Sequence, residues 1–316
     1  MVAEDALIDA LRALVERPGE PRVLLGIGDD AAVWQPSRSH RSVITTDALV
    51  EGVHFTRALG WERIGRRAMA SNLSDIAAMG ARPVLATIAL GLPEIAQEDV
   101  LELYRGMIAV SADARCAIVG GDITRSPAAT IAITVVGEVR PSNLKTRSGA
   151  RPNDVLAVSG PLGASRAGLH GSADPEAVRA HGTPSARWRE GLWFGASRNV
   201  HAMMDVSDGL STDLTRLCRR SAVGAIVDDV PVAPSAAAMA ASRGESPLDY
   251  ALAGGEDFEL LIAVDARAFA HLQARFSARF QRTLHRIGTV REGKELSVRK
   301  GSQEEALLPT GWDHVA

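Results

Sequence analysis

The sequence predicts an α+β protein built of two mixed α/β domains. Its 316 residues exceed the usual size of a single core, so two domains of ordinary size are expected. Helix-like and strand-like patterns are interleaved in both halves of the chain. Between the halves lies the polar, turn-rich segment PSNLKTRSGARPND, residues 141–154. We therefore place an N-terminal domain at residues 1–148 and a C-terminal domain at residues 149–316.

The N-terminal half begins with an amphipathic helix. Leu7, Leu11 and Leu14 share one helical face, and Pro18 ends the pattern. Short apolar runs between turn residues then predict strands, and apolar residues at helical spacing predict two more helices. The strands are expected around residues 23–25, 31–34, 42–44, 83–90, 117–119 and 130–139, and the helices around 61–80 and 100–110.

The same alternation restarts after the polar segment. A strand around 155–158 leads into the glycine-rich turn SGPLGAS at 159–165, and helices follow to about residue 202. A strand at 203–206 then runs into a helix that begins near Asp208, for which Ser207 is a candidate N-cap. Further strands are expected around 225–227, 251–252, 258–263 and 287–290.

Composition excludes several classes of function. The chain has 38 acidic and 35 basic side chains, whereas a protein that binds nucleic acid through bulk charge would carry a basic excess. No apolar stretch reaches the length of about 20 residues that spans a membrane. We expect no signal peptide, because the N-terminus carries acids early. With only Cys116 and Cys218, no disulfide framework is expected. We expect a cytoplasmic protein that binds neither nucleic acid nor membrane.

The segment GIGDDA, residues 26–31, satisfies the glycine pattern of a dinucleotide-binding turn. That interpretation fails because a Rossmann crossover needs a helix directly after the glycines, whereas Pro36 and polar residues precede the next strand. Asp29 and Asp30 would also place carboxylates against a pyrophosphate, which is repulsive unless a metal lies between them. The chain has no P-loop and no protein-kinase motifs.

Aspartates recur at the ends of apolar runs, where a solvated side chain is unexpected. Carboxylates gathered at strand ends repel one another unless cations are bound. Oxygen ligands without clustered His or Cys favour Mg²⁺, which commonly shares its coordination with substrate phosphates. For any single aspartate, a helix cap or a turn is the alternative. The aspartates concerned are Asp30, Asp47, Asp75, Asp122, Asp205 and Asp208.

Six other residues are candidates for ligand contacts. Gly120 and Gly121 would let a ligand approach the backbone ahead of Asp122. Arg147 would bind a phosphoryl oxygen or remain a solvated charge. His54 follows the strand that carries Asp47, with a structural histidine as the alternative. Glu256 follows two glycines that suit a tight turn, and Trp312 either anchors the chain end or stacks on a ligand.

Taken together, the motifs resemble the thiamine-monophosphate kinase family, a branch of the aminoimidazole ribonucleotide synthetase superfamily. The resemblance runs from about Gly26 to Trp312. It implies two α+β domains, a homodimer paired through the N-terminal domains, and phosphorylation of thiamine monophosphate by ATP with several Mg²⁺ ions. The segments are GIGDDAAV, TTDALVEGVHF, NLSDIAAMGARP, GGDITRS, TRSGARPND, DVSDGL and GGEDFELL. The segment 183–195 lacks the family's P-x-P-R pattern.

The resemblance also implies roles for individual residues, and it has the C-terminal domain complete the nucleotide and substrate site. The implied metal ligands are Asp30, Thr45, Thr46, Asp47, Asp75, Asp122, Asp205 and Asp208. The implied ATP contacts are Tyr104, Gly121, Asp122, Arg147 and Ser207, and the implied contacts to thiamine monophosphate are His54, Glu256 and Trp312.

The chemistry needs no general base, because the second pKa of a phosphate monoester is about 6 and the acceptor is ionised at neutral pH. We expect direct in-line transfer without a phosphoenzyme.

One alternative function is that of another ATP-dependent member of the same superfamily. A second alternative is a non-catalytic sensor of nucleotide or Mg²⁺. Such a sensor would not need His54, Glu256 and Trp312, the implied contacts to thiamine monophosphate. Selenophosphate synthetase is disfavoured, because its reactive residue lies near the N-terminus and the first cysteine here is Cys116.

Overall fold

The structure is a computed structural model that describes residues 4–15, 21–27 and 31–311, with side chains described from Ala6 onward. The chain divides into two compact units, Met1–Ile76 with Ala81–Pro141 and Ala77–Gly80 with Ser142–Ala316. The break after Pro141 falls at the start of the polar segment that separates the two halves in sequence.

The first unit is built on a four-stranded mixed sheet. Its described elements are strands β1 (Val23–Leu25), β2 (Val33–Trp34), β3 (Arg41–Val50), β4 (Arg82–Leu92), β5 (Ala117–Arg125) and β6 (Thr130–Val139), with helices α1 (Glu4–Val15), α2 (Trp61–Ala78) and α3 (Gln97–Asp113). The sheet order is β3-β6-β4-β5, in which only β4 and β5 run parallel. Strands β1 and β2 pair separately.

Two glycines let α2 and α3 pack at close range. A Cβ on Gly65 would lie 2.0 Å from the carbonyl oxygen of Leu103, and a Cβ on Gly106 would lie 1.9 Å from that of Glu62. Any larger residue would therefore push the helices apart. This packing helps to bury α2, whose Asn72 is 0% exposed despite its polar side chain.

The second unit is built on a seven-stranded sheet of order β13-β12-β9-β11-β7-β10-β8, in which only β12 and β9 run parallel. Its strands are β7 (Val155–Val158), β8 (Val200–Val206), β9 (Gly224–Val227), β10 (Glu259–Val264), β11 (His285–Arg291), β12 (Leu296–Lys300) and β13 (Gln303–Ala306). Its helices are α4 (Ala164–Leu169), α5 (Pro175–Gly182), α6 (Trp188–Gly195), α7 (Leu210–Ser221), α8 (Pro234–Arg243), α9 (Pro247–Ala253) and α10 (Ala266–Phe280).

The central strands of this sheet are apolar on both faces. Along β10, Leu261 packs in one cluster with Leu214 of α7, and Ile262 packs in another with Phe194 of α6 and Phe276 of α10. Because side chains alternate along a strand, the two clusters lie on opposite faces of the sheet. The sheet is therefore covered by helices on both sides, as the continuous apolar runs of β7 and β10 indicate.

The predicted fold class is confirmed, and one predicted strand is wrong. Residues 251–252 lie within α9, which begins with Pro247 and is capped by Ser246 Oγ, an acceptor for the Asp249 N–H at 3.3 Å. Two apolar residues are too short a run to separate a strand from a buried helix. The helix after DVSDGL also begins at Leu210 instead of near Asp208.

Both cysteines are buried and free, and burial raises the pKa of each thiol to about 12. Buried free cysteines of this kind pack as small apolar side chains. Across residues 4–15, 21–27 and 31–311, we find no helix that combines the length and apolar character required to cross a membrane.

Candidate functional site

In the first unit, one face of β3 brings predicted ligands to α2. Thr45 and Asp47 lie on the same face, because side chains alternate along a strand. Thr45 Oγ1 donates a hydrogen bond to Asp75 Oδ2 at 2.5 Å, and the backbone N–H of Asp47 donates to Asn72 Oδ1 at 3.1 Å. Asn72 and Asp75 are spaced to share one face of α2. The structure thus joins the Thr45 side chain to Asp75 and the Asp47 backbone to Asn72, one helical turn before Asp75.

Thr46 lies on the other face of β3. Its hydroxyl is 2.8 Å from that of Thr134, its partner on β6. The Thr46 hydroxyl therefore faces away from the side of β3 that carries Thr45. Asn72 is a residue that the motif reasoning missed; the available signal was its position three residues before Asp75, at helical spacing.

The two glycines before Asp122 have different environments. A Cβ on Gly121 would lie 1.8 Å from the carbonyl oxygen of Ile88 on β4, so glycine is required there by strand packing. A Cβ on Gly120 would meet nothing within 4 Å. Asp122 follows as an exposed residue of β5, opposite Ala89 of β4. The space for a Cβ is therefore open at Gly120 and filled by β4 at Gly121, whose backbone is nevertheless exposed.

His54 and Tyr104 also belong to the first unit. His54 Nδ1 accepts a hydrogen bond from the backbone N–H of Val50 at 3.1 Å, which places the proton of a neutral ring on Nε2. Tyr104 is only 3% exposed within α3, and burial raises the pKa of its hydroxyl above the usual value. Tyr104 can contact a nucleotide only through the small surface that remains accessible.

In the second unit, Asp213 organises the turn between β8 and α7. Its Oδ2 accepts the backbone N–H groups of Ser207 at 3.0 Å and Asp208 at 2.9 Å, and burial raises its pKa to about 6. Arg216 pairs with both Asp208 and Asp213. The interpretation of Ser207 as the N-cap is therefore wrong, because α7 begins two residues beyond Asp208 with Gly209 at the cap. Asp205 is 2% exposed at the end of β8.

The polar segment that carries Arg147 is an ordered loop. Ser221 Oγ donates to the Arg147 carbonyl at 2.8 Å and accepts the N–H groups of Gly149 and Ala150 at 3.2 Å. Lys145 is buried, and its ammonium donates to the carbonyls of Ser197 at 2.7 Å and Val200 at 2.8 Å. The Arg147 side chain is exposed. The loop thus presents a guanidinium from a fixed backbone.

Glu256 lies in the loop between α9 and β10, with a left-handed backbone at φ 61°. It is partly exposed. A non-glycine residue in this conformation is uncommon and frequently marks a functional loop.

The remaining predicted residues, Asp30 and Trp312, lie outside the described residues. The donors that the structure brings together are hydroxyl and carboxylate oxygens, which fit Mg²⁺ better than zinc. Within the described part of the chain, however, no group of three or more His, Cys, Asp or Glu side chains is arranged to hold a metal ion. The metal ligands therefore stay predictions.

Two family models match the chain. AIR synthase related protein, N-terminal domain, matches residues 28–139, and AIR synthase related protein, C-terminal domain, matches residues 151–301. The thiamine-monophosphate kinase of Synechococcus elongatus is 34% identical and covers 99% of this chain and 96% of its own length. That of Rhodopirellula baltica is 37% identical and covers 93% and 92%.

Solved structures show the same similarity. A thiamine-monophosphate kinase from Stenotrophomonas maltophilia is 35% identical with a TM-score of 0.84, and covers 96% of this chain and 98% of its own. AaThiL complexed with AMPPCP and TMP is 32% identical with a TM-score of 0.77, covering 98% and 96%. E. coli HypE, a hydrogenase maturation protein, shares the fold at 20% identity and a TM-score of 0.79, covering 99% and 98%.

Proposed function

The chain belongs to the thiamine-monophosphate kinases within the AIR synthase related family, and we propose that it transfers the γ-phosphate of ATP to thiamine monophosphate, giving thiamine diphosphate. The observation that carries the proposal is the similarity, over nearly the whole chain, to AaThiL complexed with AMPPCP, an ATP analogue, and TMP. The motifs that the structure describes around Asp75, Asp122, Asp208 and Glu256 support it.

The reaction joins two anions, so its main requirement is neutralisation of charge. The acceptor oxygen belongs to a phosphate monoester that is ionised at neutral pH, and it attacks the γ-phosphorus as the bond to ADP breaks. The chain's contribution is to align the two phosphates and to supply positive charge, for which the exposed Arg147 guanidinium is suited. When bound, Mg²⁺ supplies further positive charge between the phosphates.

We assign the binding roles as follows, each as part of the proposal. Metal is held by Asp30, Thr45, Thr46, Asp47, Asp75, Asp122, Asp205 and Asp208; ATP by Tyr104, Gly121, Asp122, Arg147 and Ser207; and thiamine monophosphate by His54, Glu256 and Trp312. For Thr46 the donor would be the carbonyl oxygen, because its hydroxyl pairs with Thr134. The well-defined contacts of Thr45 with Asp75, and of Asp213 with the Ser207–Asp208 backbone, support a pre-formed arrangement in each unit.

The test is a product assay on the purified chain with ATP, Mg²⁺ and thiamine monophosphate. We expect thiamine diphosphate and ADP in equal amounts, with no product when EDTA removes the metal. Asp122→Asn is expected to abolish turnover, whereas Asp9→Asn, at an exposed position of α1, should leave it unchanged. Binding of AMPPCP without any product would instead indicate the nucleotide-sensor alternative and contradict the proposed activity.

We further propose a cytoplasmic homodimer paired through the first unit. Ile44 on the edge strand β3 is 68% exposed, and Leu24 on β1 is 64% exposed. Such side chains on exposed strands are typical of surfaces that associate. Light scattering is expected to give twice the mass of one 33.4 kDa chain, and a single-chain mass at micromolar concentration would refute the dimer.

A further inference from the structure

The loop Gly254–Phe258 between α9 and β10 is held in a conformation that its sequence disfavours. Glu256 has a φ of 61° and Phe258 a φ of 51°, so two non-glycine residues adopt the left-handed region on either side of Asp257. This backbone conformation is unfavourable for a residue with a Cβ and persists only where the surrounding contacts determine it. The contacts of this loop therefore indicate what holds the two residues in this conformation.

Two backbone contacts fix one side of the loop. The N–H of Glu256 donates to the carbonyl of Ser207 at 2.7 Å, and the N–H of Phe258 donates to that of Val206 at 2.9 Å. A Cβ on Gly255 would lie 2.9 Å from the Ser207 carbonyl oxygen, so glycine permits this approach. The backbone of Glu256 is thus attached to the turn that leads into α7.

The Asp257 carboxylate fixes the other side. Its Oδ2 accepts the N–H of Gly163 at 2.7 Å, and its Oδ1 lies at hydrogen-bonding distance, 3.3 Å, from the N–H of Ser165. Gly163 is the N-cap of α4 and Ser165 lies in its first turn, so the carboxylate contacts the end of the glycine-rich segment 159–165 and the start of α4, which the proposed function does not otherwise use. The Asp257 side chain thus contacts the start of α4, whereas the Glu256 N–H contacts Ser207.

The structure assigns Asp257 as a positioning residue: by tying residues 159–165 to the Gly254–Phe258 loop, it holds Glu256 in the left-handed conformation required for contact with thiamine monophosphate. This inference rests on the proposed function, in which Glu256 binds the acceptor. Without the carboxylate, the strained residues relax toward common backbone conformations, and the acceptor contact is lost. The ATP contacts proposed at Tyr104, Gly121 and Arg147 lie outside this loop, so the loss is expected to fall mainly on the acceptor.

The test compares Asp257→Asn with Asp265→Asn at pH 8. Both carboxylates accept backbone N–H groups, but Asp265 only caps α10, by accepting the Arg267 N–H at 2.8 Å. Asparagine retains one acceptor oxygen, and its amide NH₂ faces the second N–H unfavourably. We expect Asp257→Asn to raise the KM for thiamine monophosphate at least tenfold, with the Kd of AMPPCP, measured by calorimetry, changed less than twofold. Asp265→Asn should change neither quantity.

A KM within twofold of the parent, or equal losses of acceptor and AMPPCP affinity, would overturn the positioning role. If Asp257→Asn does not fold, Asp257→Glu must show the same selective rise in KM, since it keeps both oxygens but displaces them by one methylene. A parent protein that makes no thiamine diphosphate would refute the proposed function. If the parent protein is active and the Asp257→Asn variant has an unchanged KM, only the role of Asp257 is refuted.

Discussion

Replacing Glu259 with glutamine removes the negative charge that two arginines share in the second unit. Glu259 is 3% exposed, and its Oε1 accepts from Arg187 Nη2 and Arg282 Nη2, each at 2.6 Å. Its Oε2 accepts from Ser159 Oγ at 2.5 Å, and that hydroxyl in turn accepts the Leu260 N–H at 2.8 Å. Burial alone would raise the pKa of Glu259, but the two arginines and the serine hold it below its ordinary value.

The magnitude follows from what glutamine retains. In its best orientation the amide oxygen faces the arginines and the NH₂ faces Ser159 Oγ, so shape and most hydrogen bonds survive, but the charge is lost. Hydrogen bonds to charged groups contribute about 1.5–3 kcal/mol each. Arg187 and Arg282 keep 23% and 24% side-chain exposure, so water partly compensates them. We expect Glu259→Gln to lower the free energy of unfolding by about 2–4 kcal/mol.

Urea unfolding followed by tryptophan fluorescence measures this change, since Trp188 and Trp193 lie in α6, directly after Arg187. Glu304→Gln is the matched control, because Glu304 pairs with Arg291 at an exposed position, and it should shift the unfolding midpoint far less. Adding Arg187→Met to Glu259→Gln should cost less than the sum of the two single changes, because it removes a cation that has lost its anion. A loss below about 1 kcal/mol for Glu259→Gln, or strict additivity, would refute the reasoning.

Two further predictions concern Gly121 and Asp257. Gly121→Ala should strongly reduce the soluble yield or the unfolding midpoint, because its Cβ would lie 1.8 Å from the Ile88 carbonyl oxygen. Gly120→Ala is the control and should be tolerated, because its Cβ would meet nothing within 4 Å. Equal effects of the two substitutions in thermal unfolding would contradict this. Burial raises the Asp257 pKa to about 7, although the residue keeps some exposure. The folded state therefore retains a proton that the unfolded state loses near pH 4, and stability falls as pH rises from about 4 to about 7. In urea unfolding at pH 4.5 and pH 8, Asp257→Asn should reduce this loss of unfolding free energy by about 2–4 kcal/mol. If the parent protein and the variant lose stability in parallel as pH rises, the raised pKa of Asp257 is contradicted.

The motif residues were predictable where local pattern governs their position. The alternation of β3 and the helical spacing of α2 are both readable in sequence, and they suffice to pair Thr45 with Asp75. The same alternation places Thr46 on the opposite face, which shows that consecutive motif residues need not offer their side chains to one ligand. Asp213 was not predictable, because its role depends on the turn at Ser207 and Asp208 bending back over the first turn of α7.

The sequence alone determined the alternation of helices and strands, the polar break between the two halves and the family to which the motifs belong, because each is encoded in residues close together in the chain. Tertiary structure alone decided the partners of the buried charges. Glu259 meets Arg187 and Arg282, and Asp257 meets Gly163, over separations of 23–94 residues. Periodicity describes only neighbouring residues, whereas the desolvation of a carboxylate and the cation that compensates it depend on how the whole chain packs.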